Sequence, residues 1–147
     1  MRVLTILILV AVAVVVAAMA YFRLAPTDLG TWHQRPTGVA PGDRLDTGGF
    51  QAVRRITAPA EDVLRTVEEA ALATPRTVLA AGSVEEGMLT FESRSALWAF
   101  PDYTTVTVEG DLLIIYGRLR FGRSDLGVNK ARVTGWLTAL APLTEPV

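Results

Sequence analysis

The chain begins with an unbroken apolar stretch. Residues 3–22 are 20 in number, carry no charge and include one polar side chain, Thr5. At about 1.5 Å of rise per residue, a helix of this length spans about 30 Å, the hydrocarbon thickness of a bilayer. The pattern therefore predicts a transmembrane helix over 3–22, flanked by Arg2 and Arg23. A cleavable signal is the alternative, because the tripeptide Ala-Met-Ala at 18–20 fits the small-x-small cleavage pattern.

Polar and helix-breaking residues replace this pattern over 24–49. The segment holds three prolines, five glycines and no apolar periodicity, which is typical of a tether that runs over a surface. We expect its Trp32 to cover an edge of the following domain or to lie at the lipid headgroups. We expect the N-terminus in the cytoplasm and the domain outside it, in the periplasm. The α-amino charge adds to Arg2, whereas Asp28 offsets Arg23 at the other end.

From residue 50 onward the periodicity switches between that of strands and that of helices. Alternation with period two predicts strands at 50–57, 76–83, 88–99, 103–108 and 112–121. Helical spacing predicts one helix between Pro59 and Pro75 and a closing helix over 125–141. The order β-α-β-β-β-β-α predicts an α+β fold, an antiparallel sheet of four to five strands with two helices packed on one face. The predicted domain is 50–141, and 142–147 form a tail.

Composition narrows the chemistry that this domain can perform. The 147 residues include no cysteine and one histidine, His33, which excludes disulfides, thiolate zinc sites and cysteine nucleophiles. No spacing of acidic residues is typical of a metal site, so we expect neither a metal nor a cofactor. Removing Arg2 and Arg23 from the 14 basic residues leaves 12 against 15 acidic ones. The resulting negative charge disfavours binding to nucleic acid.

The densest group of polar side chains lies at 117–132. Two arginines of the last predicted strand share one face, a glycine turn follows, and a polar row begins the closing helix. A helix start with arginines beside it can hold a phosphate or a carboxylate. The candidate ligand-binding residues, with one aspartate from upstream, are Arg118, Arg120, Arg123, Ser124, Asp125, Asn129, Arg132 and Asp102.

Two other interpretations of this cluster stay open. Asp125 could cap the closing helix and pair with an arginine, which would make the cluster a structural network that fixes the helix on the sheet. Asp102 or Asp125 could instead act as a general base beside arginine-stabilised charge, in a hydrolase or transferase. Since no nucleophile is paired with a base, we assign no catalytic residue.

The same residues resemble a known family. The stretch 117–132 reads GRLRFGRSDLGVNKAR and follows Phe-Pro-Asp-Tyr at 100–103. This combination is similar to the bacterial and plastid family called domain of unknown function 1499, in which an arginine-bearing strand precedes Gly-x-Ser-Asp-Leu-Gly-x-Asn. The resemblance covers residues 45–141. It implies an N-terminal membrane or export segment, and it supplies neither a substrate nor a catalytic residue.

Taken together, these observations predict a single-pass membrane protein of the bacterial envelope. Residues 3–22 would hold it in the lipid bilayer, and the domain would bind an envelope protein or a small anionic ligand through the cluster at 117–132. The alternative function is the hydrolase or transferase that uses Asp102 or Asp125.

Overall fold

The computed structural model of the chain describes residues 1–36 and 40–146. Residues 37–39 of the predicted tether and residue 147 of the predicted tail lie outside the described residues.

The apolar stretch forms one long helix, α1 (Arg2–Leu24), none of whose residues is buried. Its most apolar window has a mean hydropathy of 3.1, and a helix of this length and composition can cross a membrane. A signal sequence near the N-terminus has the same properties. The helix is therefore compatible with a membrane anchor and with a signal.

Six antiparallel strands form one sheet in the order β1-β2-β6-β5-β4-β3. Their bounds are β1 (Gly42–Asp46), β2 (Gly49–Arg55), β3 (Thr77–Ser83), β4 (Met88–Arg94), β5 (Pro101–Glu109) and β6 (Leu112–Leu119). The predicted α+β class and the antiparallel pairing are confirmed, but the expected four to five strands become six. The additional strand is β1, which lies in the segment assigned to the tether. Four of its five residues are exposed, so it has no alternating apolar face that a sequence pattern could reveal.

Helices α3 (Ala60–Leu72) and α4 (Val128–Leu140) pack on one face of the sheet, as predicted. With α1, which the apolar stretch predicted, the described part of the chain has four α-helices, and the short α2 (Leu29–Trp32) is the one that was not expected. The core lies between the helix layer and the sheet, and its largest members are Phe50, Leu64, Leu89, Phe91, Leu113, Ile115, Trp136 and Leu140.

Local backbone geometry explains where elements end differently from the prediction. Strand β4 stops at Arg94 because a turn follows, in which Ala99 has φ 57°. Pro101 does not interrupt a strand but begins β5, a position where its missing N–H costs no ladder bond. Helix α4 starts at Val128 because Leu126 and Gly127 both have positive φ, 54° and 83°.

The second face of the sheet carries more polar side chains than the helical face, and residues of the chain itself cover part of it. Side chains alternate along a strand, so the residues between the core positions of β4, β5 and β6 point away from α3 and α4. Residues 25–35, which we call the strap, lie across this face through α2 and its flanks. The Trp32 ring stacks on Tyr103 of the inner strand β5, with the ring centroids 4.6 Å apart. Trp32 therefore covers a face of the domain and not an edge.

Candidate functional site

The eight residues predicted from the sequence do not form one site. Arg118 and Arg120 point to the polar face under the strap. Asp102 pairs in register with Leu119, one residue further along β6 than Arg118, and its carboxylate meets α4 on the helical face. The sheet therefore separates the two strand arginines from the other members of the cluster.

Asp102, Asn129 and Arg132 form a buried trio between β5 and α4. The Asn129 amide donates to Asp102 Oδ2 at 3.3 Å, and Arg132 Nη1 donates to Asn129 Oδ1 at 2.7 Å. Arg132 Nη2 lies 3.6 Å from Asp102 Oδ2. Gly117 of β6 makes room for this trio, since a Cβ there would lie 3.0 Å from Asn129 Oδ1. The trio fixes the first turns of α4 against the centre of the sheet.

Burial controls the ionisation of this trio. It raises the pKa of Asp102 from 3.8 to about 6, and the positive charge of Arg132 only partly opposes that effect. Burial likewise lowers the pKa of the Arg132 guanidinium. A carboxyl group that titrates close to neutrality can exchange protons in the physiological range.

Asp125 caps the start of α4, as the structural interpretation expected. Its two carboxylate oxygens accept from the backbone N–H groups of Gly127 at 2.9 Å and Asn129 at 2.7 Å. Burial alone would raise the pKa of Asp125, but these amide hydrogen bonds lower it. Ser124 and Arg123 are exposed in the preceding loop, where Ser124 Oγ accepts from the Leu126 amide at 3.3 Å. These amides are therefore already occupied by the chain itself.

Arg118 and Arg120 bind the backbone of the strap. Arg118 Nη2 donates to the Trp32 carbonyl and, at 2.8 Å, to Thr105 Oγ1, while its guanidinium lies 5.2 Å from the Trp32 ring centroid. Arg120 Nη2 donates to the Pro26 carbonyl at 2.8 Å. Burial lowers the pKa of Arg118. The strap supplies the acceptors that a ligand would otherwise supply.

The rest of the strap is held by side chains that the sequence analysis did not assign to a site. Thr27 Oγ1 lies 2.7 Å from the Tyr103 hydroxyl and donates to Glu92 Oε2 at 3.0 Å. His33 Nδ1 lies 2.8 Å from Thr90 Oγ1. His33 thus contributes to the fold, and its partner is 57 residues away in sequence, so no local pattern could have identified the pair.

The open space next to the trio is a cavity of about 680 Å³, which we call the cleft. It lies between the C-terminal end of α3, helix α4 and the ends of β3 and β4. Arg76, Arg94 and Arg132 border it together with Ser93, and its remaining lining is mostly apolar, with Trp136, Ala131 and Gly135 contributed by α4. Of the residues predicted from the sequence, Arg132 alone lines the cleft within the part of the chain that the structure describes. Arg76 and Arg94 were missed because Arg76 precedes β3, Arg94 is the last residue of β4, and no shared motif links them.

Acidic and imidazole groups are spread out rather than clustered. Over residues 1–36 and 40–146, no three His, Cys, Asp or Glu side chains come together in a way that could hold a metal ion.

Comparison of the sequence with known protein families identifies one family to which the chain belongs. The model of the family described as Protein of unknown function (DUF1499) matches residues 23–140. This match confirms the resemblance seen at 117–132, and it begins at residue 23 rather than 45, so it includes the strap and β1. No curated protein matches the chain.

Proposed function

We propose that this chain, which belongs to the DUF1499 family, is a membrane-tethered envelope domain that acts by binding a small amphipathic anion. The cleft is the observation that carries the proposal. It is open to solvent, it is bordered by three arginines, and most of its lining is apolar.

The chemistry of the cleft favours one ligand class. Arginine recognises carboxylate and phosphate groups through charge-assisted, often bidentate hydrogen bonds. Arg132 is held by Asn129 and Asp102, so its guanidinium is ordered before any ligand arrives and less entropy is lost on binding. The Trp136 edge and the small side chains of α4 leave room for a short hydrocarbon body. The expected ligand combines a carboxylate or phosphate with such a body.

The two aspartates that a catalytic role would need are engaged elsewhere. Asp102 is 7% exposed and its carboxylate faces Asn129 and Arg132. Both oxygens of Asp125 hold backbone amides. A general base must reach the proton that it removes, and neither carboxylate lines the cleft.

Binding can be tested with the full chain in phospholipid nanodiscs, titrated with hexyl phosphate and followed by NMR shifts. We expect saturable shifts at the α4 residues of the cleft. Ala131→Trp, which fills the cleft, and Arg76→Gln should each weaken binding at least about tenfold, the effect of about 1.4 kcal/mol. Arg65→Gln is the matched control, because Arg65 lies on α3, pairs with Glu61 and does not line the cleft. Unchanged affinity in folded Ala131→Trp would refute the site.

The proposed location has its own test. We propose that α1 is retained as a single-pass anchor, with the N-terminus in the cytoplasm and the domain in the periplasm. The intact mass of the membrane-extracted chain should include residues 1–24. Since the chain has no cysteine, Glu109→Cys provides a unique label site at the exposed end of β5. An impermeant maleimide should label it in intact cells, and labelling only after lysis would reverse the topology.

One observation favours a second candidate function. The pKa of Asp102, raised by burial to about 6, suits a group that gives and takes protons near neutrality. A hydrolase or transferase would require Arg132 to move aside and open Asp102 to the cleft. Turnover of phosphate and carboxylate esters that Asp102→Asn abolishes, with ligand binding retained, would support this alternative.

A further inference from the structure

We infer that the end of the domain where α1 enters lies on the bilayer surface and holds an anionic phospholipid headgroup among Arg23, Arg76 and Arg94. This inference rests on the membrane anchor of the proposed function. It concerns a second cavity, which shares Arg76 and Arg94 with the cleft but adds Arg23 and lies away from α3 and α4.

The last turn of α1 is packed directly onto the domain. The Phe22 ring makes edge contacts with Phe100 and Phe121, at centroid distances of 4.4 Å and 4.9 Å. Arg94 Nη1 donates to the Phe22 carbonyl at 3.3 Å and to the Ala99 carbonyl at 3.2 Å. If residues 3–22 span the bilayer, the loops 95–100 and 120–127 are therefore held at the level where the apolar stretch ends.

These two loops present apolar side chains to solvent. Leu97 is 69% exposed, Leu126 is 94% exposed, and Val128, which follows the second loop, is 50% exposed. Trp98 stacks on Phe100 with the centroids 6.1 Å apart. Moving an exposed leucine side chain from water into the interfacial region of the bilayer is favourable. Tryptophan is enriched at that depth. Aliphatic tips and aromatic rings beside a spanning helix are the composition expected of a membrane-contacting surface.

A cavity of about 480 Å³, which we call the headgroup pocket, opens beside the end of α1. Arg23, Arg76 and Arg94 line it with one acidic residue, Glu92. Glu92 already pairs with Arg94 Nε at 2.5 Å, so the three guanidinium groups outnumber the single carboxylate. An anion is the ligand that this charge distribution favours.

Arg23 connects the headgroup pocket to an apolar groove on α1. This groove, about 350 Å³ in volume, is lined by Val16, Met19, Ala20, Arg23 and Leu24. A cationic pocket that continues into a hydrocarbon groove along a spanning helix matches a phosphate joined to an acyl chain. That arrangement favours a phospholipid over free phosphate, which has nothing to place in the groove.

The first test measures the depth of the loops. Spin labels are attached to Leu97→Cys and Leu126→Cys in the full chain, with Glu109→Cys at the opposite end of β5 as control. In nanodiscs, we expect the labels at 97 and 126 to collide more with oxygen and at least about threefold less with a water-soluble nickel chelate than the label at 109. Equal nickel accessibility at all three positions would overturn the inference.

The second test measures the preference for headgroup charge. Nanodiscs that contain phosphatidylglycerol should raise the Tm of the full chain by about 3–5 °C over phosphatidylcholine alone, because a ligand that binds the folded state stabilises it. Arg23→Gln should lose this gain, and Arg2→Gln, at the other end of α1, should keep it. A gain that survives Arg23→Gln would overturn the pocket, and inorganic phosphate should not reproduce the gain.

The outcomes separate this inference from the proposed function. Arg23 does not line the cleft, so Arg23→Gln should still bind hexyl phosphate. Loops that fail to reach the bilayer, with hexyl phosphate still bound, would refute the membrane surface alone. A full-length chain that stays in water without lipid or detergent would refute the anchor and, with it, this inference.

Discussion

The buried carboxyl of Asp102 should make the stability of the domain depend on pH in an unusual direction. Its pKa rises from 3.8 to about 6 through burial, against the attraction of Arg132. Folding therefore favours the protonated form, because the folded-state pKa exceeds the unfolded one. The stabilisation that Asp102 adds to the free energy of unfolding is fully present below about pH 4 and is lost as the pH rises through about 6.

The size of this effect follows from the shift. About two pKa units, at about 1.4 kcal/mol each, give an upper value of about 3 kcal/mol. Two facts lower this value. The Asp102 side chain is still 10% exposed to solvent, and the unfolded-state carboxyl is already partly ionised at about pH 4. We therefore expect about 2 kcal/mol of the free energy of unfolding to be lost between about pH 4 and pH 7.

Asp102→Asn isolates the effect, since the amide keeps the shape and an oxygen that can accept from Asn129 but cannot ionise. Urea unfolding of the full chain in micelles, followed by tryptophan fluorescence, gives the free energy of unfolding at each pH. Relative to the variant, the wild type should lose about 2 kcal/mol between about pH 4 and pH 7. Asp62→Asn, at an exposed carboxylate in the first turn of α3, is the control for general charge effects.

Two results would refute the reasoning. Parallel pH profiles of wild type and Asp102→Asn would mean that the carboxyl titrates as it does in the unfolded chain. A wild type that becomes more stable than the variant as pH rises would mean that the pairing with Arg132 outweighs burial.

Three further substitutions test the contacts around the site. Asp125→Ala should cost about 1–2 kcal/mol because two amides at the start of α4 lose their acceptor; an unchanged Tm would contradict this. Trp32→Ala should speed amide exchange in the strap at least about tenfold by removing the stacked ring, whereas retained protection would show that the arginines suffice. Gly117→Ala should cost about 1–3 kcal/mol, because the new Cβ would lie 3.0 Å from Asn129 Oδ1; a smaller loss in urea unfolding would mean that α4 shifts freely.

The elements that carry a regular apolar pattern were predictable from the sequence. Strand β4 alternates core and polar positions from Leu89 to Arg94, and α3 buries Val63 and Val67 at helical spacing. Strand β1 and α2 lack such a pattern, since four of the five residues of β1 are exposed and α2 has no buried residue. Periodicity reports burial, so elements that bury little apolar surface escape it.

The grouping of residues in the candidate site was harder to predict from the sequence, for a different reason. The alternation of side chains along a strand placed Arg118 and Arg120 correctly on a common face of the sheet. It could not tell which face of the sheet the helices cover. Nearness in sequence groups Arg132 with Arg118 and Arg120, yet the sheet lies between Arg132 and the two strand arginines. The cleft joins Arg132 to Arg76 and Arg94, and that grouping depends on how α3, β3 and β4 meet in space.

The strap also changes what the connection to α1 means. Without residues 25–35, the Arg118 guanidinium would lose the Trp32 carbonyl and the Tyr103 hydroxyl would lose Thr27, and polar groups on a half-buried surface are costly to leave without partners. The strap therefore folds as part of the domain and is not a flexible linker. It follows directly on Leu24, the last residue of α1, so no free linker separates α1 from the sheet. A domain joined in this way has its Arg94 end fixed beside the end of α1. If α1 spans a bilayer, a ligand carried by that bilayer would approach the cleft from this side.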